Sequence, residues 1–133
     1  MLEIKNFSKS YGDKKVVDDL NLKVEQGEIF GFIGHNGAGK TTTIKSIVGI
    51  LDVEAGDIFI DGKSIKEDAM ACKRIMAYIP DNPDIYDSLT GIRYLNFIGD
   101  IYKVDARLRE TLIRQYADAF ELTANLGDMI ASY

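Results

Sequence analysis

One cysteine, one histidine, two prolines and no tryptophan occur among these 133 residues. A lone Cys72 can build neither a disulfide framework nor a cysteine-based metal site, and it suits a reducing compartment such as the cytosol. Basic residues are in deficit: the formal charge is −5, and Lys14-Lys15 is a pair with no basic, aromatic-laced patch around it, which speaks against a nucleic-acid partner. No apolar run approaches the roughly 18 residues of a membrane span, and Met1-Leu2-Glu3-Ile4-Lys5 does not open an apolar leader. The expectation is a soluble chain that meets a membrane only through a partner. Repeats, low-complexity tracts and Pro/Ser-rich linkers are missing too. What remains is an ordinary globular balance, 46% hydrophobic and 28% charged, enough for one domain with a core.

Against that plain background one segment is unusual. Gly34-His35-Asn36-Gly37-Ala38-Gly39-Lys40-Thr41-Thr42 follows the apolar run Ile29-Phe30-Gly31-Phe32-Ile33 and has the pattern G-x-x-x-x-G-K-[ST]. Glycines let successive backbone N–H groups point inward as a nest for phosphate, so Asn36, Gly37, Ala38 and Gly39 are candidate nucleotide contacts. Lys40 supplies a point charge to the β- and γ-phosphates. Thr41 offers its hydroxyl to Mg²⁺, Thr42 adds a phosphate contact, and the helix that starts here turns its positive end to the same anion. The ligand to consider is therefore a nucleoside triphosphate with Mg²⁺. His35 occupies a variable position of the loop and reads as a solvated spacer.

Periodicity places the loop in a frame. The Ile29–Ile33 run predicts a parallel strand buried on both faces, and Ile44, Ile47, Val48 and Leu51 mark one face of a helix over 44–51. Leu2 and Ile4, then Leu20, Leu22 and Val24, alternate with polar residues and predict two strands with one wet face. Gly56 precedes a strand over 57–60, and Asp61-Gly62 signals a tight turn into Lys63-Ser64-Ile65. A short helix is expected over 68–74, and Ile75–Ile79 reads as a second buried strand. Thr90 and Asp105 are candidate N-caps, the first for a helix with Ile92, Leu95, Ile98 and Ile101, the second for one with Leu108, Leu112, Tyr116 and Ala119.

These pieces, in order and spacing, resemble one family. Leu2-x-Ile4, Ser10-Tyr11-Gly12, Val16-x-x-x-Leu20-x-Leu22, Gly27-Glu28-Ile29, the phosphate loop, Gly56 and Asp61-Gly62 look like the ATP-binding domain of ABC transporters. The stretches Tyr78-Ile79-Pro80-Asp81-Asn82-Pro83 and Ser88-Leu89-Thr90-Gly91 look like the subgroup that drives ABC-2-type exporters of drugs and other small molecules. The resemblance implies an α/β fold: a P-loop NTPase core of the ABC type, with an N-terminal antiparallel β subdomain and a helical subdomain. Residues 1–87 would hold the β subdomain and nucleotide core, and 88–133 the helical subdomain. It further implies that Tyr11 stacks on adenine, that Val16 lies beside base and ribose, and that Lys40 and Asp81 serve catalysis. Asp81 would share Mg²⁺ with Thr41, but it stands where most members carry a glutamine, and an ionised Asp accepts hydrogen bonds without donating them.

The family's serine-glycine signature, its second acidic strand and its switch histidine do not occur in these residues; Ile58-Phe59-Ile60-Asp61 imitates that strand, but Gly62 follows, which favours a hairpin. The chain is thus expected to be the amino-terminal portion of a cytosolic ATPase subunit at the inner face of the membrane. Its partners would be a transmembrane permease and a second ATPase copy, and alone it would bind ATP without turnover. A non-transport relative, such as a translation or chromosome-maintenance factor, is the alternative. A small stand-alone P-loop GTPase or kinase is poorer, because no Asn-Lys-x-Asp motif is present.

Overall fold

The computed structural model describes residues 1–81 and 86–133. The chain divides into two compact units, Met1–Ile79 and Pro80–Tyr133. Asn82 and Pro83, part of the exporter-like stretch, lie outside the described residues.

In the first unit, strands β1 (Leu2–Tyr11), β2 (Lys14–Val24), β3 (Ala55–Ile60) and β4 (Lys63–Ser64) form an antiparallel sheet in the order β2-β1-β3-β4. Ile4, Phe7 and Val17 turn inward with Ile58 and Ile60, a register shift between Ile4 and Phe7 breaking strict alternation on β1, and Ile65 and Cys72 complete the buried cluster. Phe7 and Ile58 are fully enclosed, each contributing about 1.5–3 kcal/mol of burial. The β3–β4 turn is the expected hairpin. Asp61 and Gly62 both take positive φ, 51° and 77°, as a twist-matched two-residue turn requires, and the chain's amino group lies 3.2 Å from the Asp61 carboxylate. Asp61 therefore belongs to a surface turn, not to an acidic catalytic strand.

Helix α1 (Lys40–Ile47) begins at the glycine loop but stops a turn earlier than the 44–51 pattern suggests. Val48 caps it, and Gly49 at φ 70° lets the Gly49 and Ile50 amides bond back to the Ser46 and Lys45 carbonyls, at 3.1 and 2.9 Å. Leu51 therefore lies beyond the helix and is half-buried. Helix α2 (Ala69–Lys73) falls within the expected 68–74 and is capped by Asp68, which accepts from the Ala71 amide at 3.0 Å.

The two apolar runs differ from expectation. Neither Ile29–Ile33 nor Ile75–Ile79 is a strand; Ile29 is 100% and Ile33 95% exposed, and Ile79 88%. Phe32, Met76 and Tyr78 are half-buried, whereas Gly31, Ala77 and the isoleucines that alternate with them face outward. A parallel strand needs a hydrogen-bonded neighbour and a covering layer on each face. None of the four described strands pairs with these runs, so only one of their faces is covered.

In the second unit, α3 (Gly91–Ile101) and α4 (Ala106–Ala119) carry the expected caps. Thr90 Oγ1 accepts from the Arg93 amide at 3.4 Å; Asp105 accepts from the Arg107 and Leu108 amides at 3.0 and 3.1 Å. On α4, Ala117 is buried and Arg109 and Ile113 are half-buried, while Leu108 and Tyr116 are over half exposed. The packed stripe is thus turned from the predicted one. The reason is small and polar residues: Arg109 lies against the Cα of Gly99, bonds the Val104 carbonyl at 3.0 Å and pairs with Asp100 at 2.7 Å. A short 3₁₀ turn, Ile130–Ser132, closes the unit. Among the described residues, no helix is long and apolar enough to cross a membrane.

Candidate functional site

The loop ahead of α1 owes its shape to two glycines in the left-handed region, Gly37 at φ 86° and Gly39 at φ 80°. Gly39 is also buried: a Cβ there would stand 2.7 Å from the Val16 carbonyl oxygen and 2.9 Å from Val17 Cγ2. The loop is therefore backed directly by β2, at Val16 and Val17. Gly39 is the N-cap of α1 and has no side chain to satisfy the helix's leading amides. Such an uncapped start, with its positive dipole end, favours an anion.

Lys40 completes the cradle. Its ammonium is held over the loop by the Gly34 carbonyl and by the His35 carbonyl at 2.8 Å. An ammonium has three hydrogens to give, so two carbonyl acceptors leave one donor for a phosphate oxygen. Asn36, Ala38 and Thr41 are exposed and Thr42 is half-buried, while Thr43 and Ser46, on the inner side of α1, are enclosed. His35 is exposed, with Nδ1 2.9 Å from the Asn36 carbonyl, as a spacer would be. No group of three or more His, Cys, Asp or Glu among the described residues could hold a metal ion. A Mg²⁺ ion at Thr41 would have to arrive with a ligand's phosphates, the usual manner for this cation.

Tyr11 closes the β1–β2 hairpin opposite Lys14 and is 51% exposed. The hairpin joins it to Val16 and so to the loop. Asp81 is an exposed bend residue of the second unit. Sequence reasoning passed over two residues near Tyr11: Lys9, whose Nζ lies 6.0 Å from the ring centroid, and Glu54, which accepts from that Nζ. Strict alternation from Leu2 and Ile4 would turn Lys9 outward; the register shift between Ile4 and Phe7 brings it in, so the sequence carried no signal for it.

Residues 17–128 match the family model described as ABC transporter. The chain belongs to the ABC transporter family. It is 37% identical over 134 residues to the ABC transporter ATP-binding protein YhcH of Bacillus subtilis, itself uncharacterised, covering all of this chain and 43% of that protein. The linearmycin resistance ATP-binding protein LnrL of the same organism is 32% identical, with 100% of this chain and 43% of that one covered. The bacitracin transport ATP-binding protein BcrA of Bacillus licheniformis is 33% identical, with 84% and 40% covered. A solved ATP-binding subunit of an ABC transporter superimposes with a TM-score of 0.88 at 32% identity, covering 99% of this chain and 55% of that one. The fold is accordingly the α/β fold of ABC ATPase domains. The chain spans about two fifths of the length of these curated relatives. Members of the family bind ATP, generally with Mg²⁺, are generally ATPases, and generally pair with permease components and dimerise.

Proposed function

We propose that this chain is the amino-terminal part of the ATP-binding subunit of an ABC exporter of drugs or other small molecules. The observation that carries the nucleotide assignment is the Lys40 ammonium, held over a glycine loop at the uncapped start of α1 with one hydrogen to spare. Tyr11 would stack on the base, Val16 would line base and ribose, and the amides of Asn36, Gly37, Ala38 and Gly39 with Lys40 and Thr42 would hold the phosphates. Thr41, with Asp81, would ligate Mg²⁺, which supplies charge neutralisation on the phosphates when bound. Residues 1–87 would act as the nucleotide-bearing part and 88–133 as the helical subdomain.

The exporter assignment is supported by the names of two relatives, one of linearmycin resistance and one of bacitracin transport. The open faces of Ile29–Ile33 and Ile75–Ile79 support the reading that further strands of the full subunit complete a parallel sheet. In that subunit two copies would enclose two ATP molecules and drive a permease at the inner face of the cytoplasmic membrane. Catalysis would be electrostatic clamping by Lys40 and the loop amides, with a water aligned by residues outside these 133. The chain alone would bind nucleotide without turnover.

Titration calorimetry with MgATP tests the site: Lys40→Ala is expected to weaken binding at least tenfold, and equal affinity of both forms overturns the assignment. For the exporter reading, cells lacking the full gene should accumulate a peptide antibiotic that the parent strain expels. Unchanged accumulation, with two fused ATPase halves or a coiled-coil insertion in the gene, would favour the non-transport alternative.

A further inference from the structure

Among the described residues, Lys9 is the only charged one that is buried, with 7% of its surface exposed. It stands on β1 two positions before Tyr11 and directly across the ladder from Val17, the residue that backs Gly39. Its Nζ donates to the Asp52 carbonyl at 3.1 Å and to the Glu54 carboxylate, both in the segment between α1 and β3. The same Nζ lies 6.0 Å from the centroid of the Tyr11 ring. One ammonium therefore lies over the ring at the outer range of a cation–π approach and bonds the segment leaving the phosphate helix.

Packing alone does not account for this. Burying an ammonium is unfavourable unless it is paired, and a leucine or methionine would fill the same space without that penalty. What a cation adds is attraction for the negative face of an aromatic ring. A half-exposed tyrosine at a hairpin end is otherwise free to change rotamer, and ordering it on binding costs affinity.

We propose that Lys9 is a positioning residue for the base-binding ring: it occupies one face of Tyr11, holds the ring's tilt, and leaves the opposite face for a purine. Glu54 and the Asp52 carbonyl anchor it, so the platform for the base is tied to the segment that follows the phosphate helix. This rests on the reading of Tyr11 as the adenine-stacking residue.

The test is a titration of the full-length subunit with MgATP and, separately, with magnesium tripolyphosphate, which has the phosphates and no base. Lys9→Met is expected to lower ATP affinity about three- to tenfold, the size of a partly desolvated cation–π contact, and to leave tripolyphosphate affinity unchanged. Lys9→Arg should restore most of the loss. In a Tyr11→Ala background, Lys9→Met should add less than about twofold, since the two act through one ring. Equal losses for both ligands, or full additivity with Tyr11→Ala, overturn the proposal. If Tyr11→Ala weakens ATP and Lys9→Met does not, this inference falls and the base-stacking reading stands; if Tyr11→Ala is itself silent, that reading falls and this one with it. Should Lys9→Met fail to fold, Glu54→Gln decides: its side chain is 58% exposed, and an unchanged preference for ATP over tripolyphosphate in that variant overturns the proposal.

Discussion

Alanine at position 39 separates the two reasons for a glycine there, backbone conformation and close approach. Gly62 is the matched control: its φ of 77° nearly equals the 80° of Gly39, but a Cβ at Gly62 would meet nothing within 4 Å. Gly62→Ala should therefore carry only the left-handed strain, about 1–2 kcal/mol, partly offset by the stiffer unfolded chain. Gly39→Ala adds contacts at 2.7 Å with the Val16 carbonyl and 2.9 Å with Val17 Cγ2, in a buried setting where overpacking costs about 1–3 kcal/mol. The expected gap between the variants is that second amount, or roughly 5–20 °C in melting temperature for a unit of this size. Urea denaturation of both variants beside the parent measures it. Val17→Ala, which removes a buried core side chain, should cost less in the Gly39→Ala background than in the parent, because there it also removes one of the two overlaps. Equal stability of Gly39→Ala and Gly62→Ala would refute the claim that β2 backs the loop.

Tyr11→Ala should weaken ATP and GTP alike, because stacking is worth about 1–3 kcal/mol and tolerates base identity; a loss confined to one purine in fluorescence titrations would mean the ring reads a base edge. Asp81→Asn in the full transporter should lower ATP hydrolysis and export together, and unchanged values for both would leave Asp81 a turn residue only. On α4, Asp105→Ala should cost about 1 kcal/mol, since the carboxylate accepts from two amides, and should exceed Thr90→Ala, whose hydroxyl accepts one at 3.4 Å; chemical denaturation giving the reverse order would contradict these caps.

Residues that act within one turn of themselves were legible from the sequence. The phosphate loop is nine consecutive positions whose proposed function rests on glycine conformation, one lysine and a helix start, and the same locality made the Asp61-Gly62 hairpin and the caps at Thr90 and Asp105 readable. On β1 and β2 alternation picked out Ile4, but the buried Phe7 and Val17 escaped it, because a register shift after Ile4 changes which residues of β1 face inward. Burial of Ile29–Ile33 and Ile75–Ile79 was not legible either, because an apolar run states a preference whereas a strand requires a partner elsewhere in the chain.

Tertiary structure alone decided which side of α4 packs, since Arg109 against Gly99 and the small Ala117 outweigh Leu108 and Tyr116 in a way no hydropathy pattern records. It also decided the setting of the candidate site. That Gly39 leans on Val16 and Val17, 22 or more positions earlier, and that Lys9 reaches both Tyr11 and Glu54, depends on strand register and on the path of the chain after α1. The sequence by itself determined which residues are proposed to bind a triphosphate, because that chemistry is local. How they are braced is a matter of contacts between residues far apart in the chain, and those exist only once the sheet has paired.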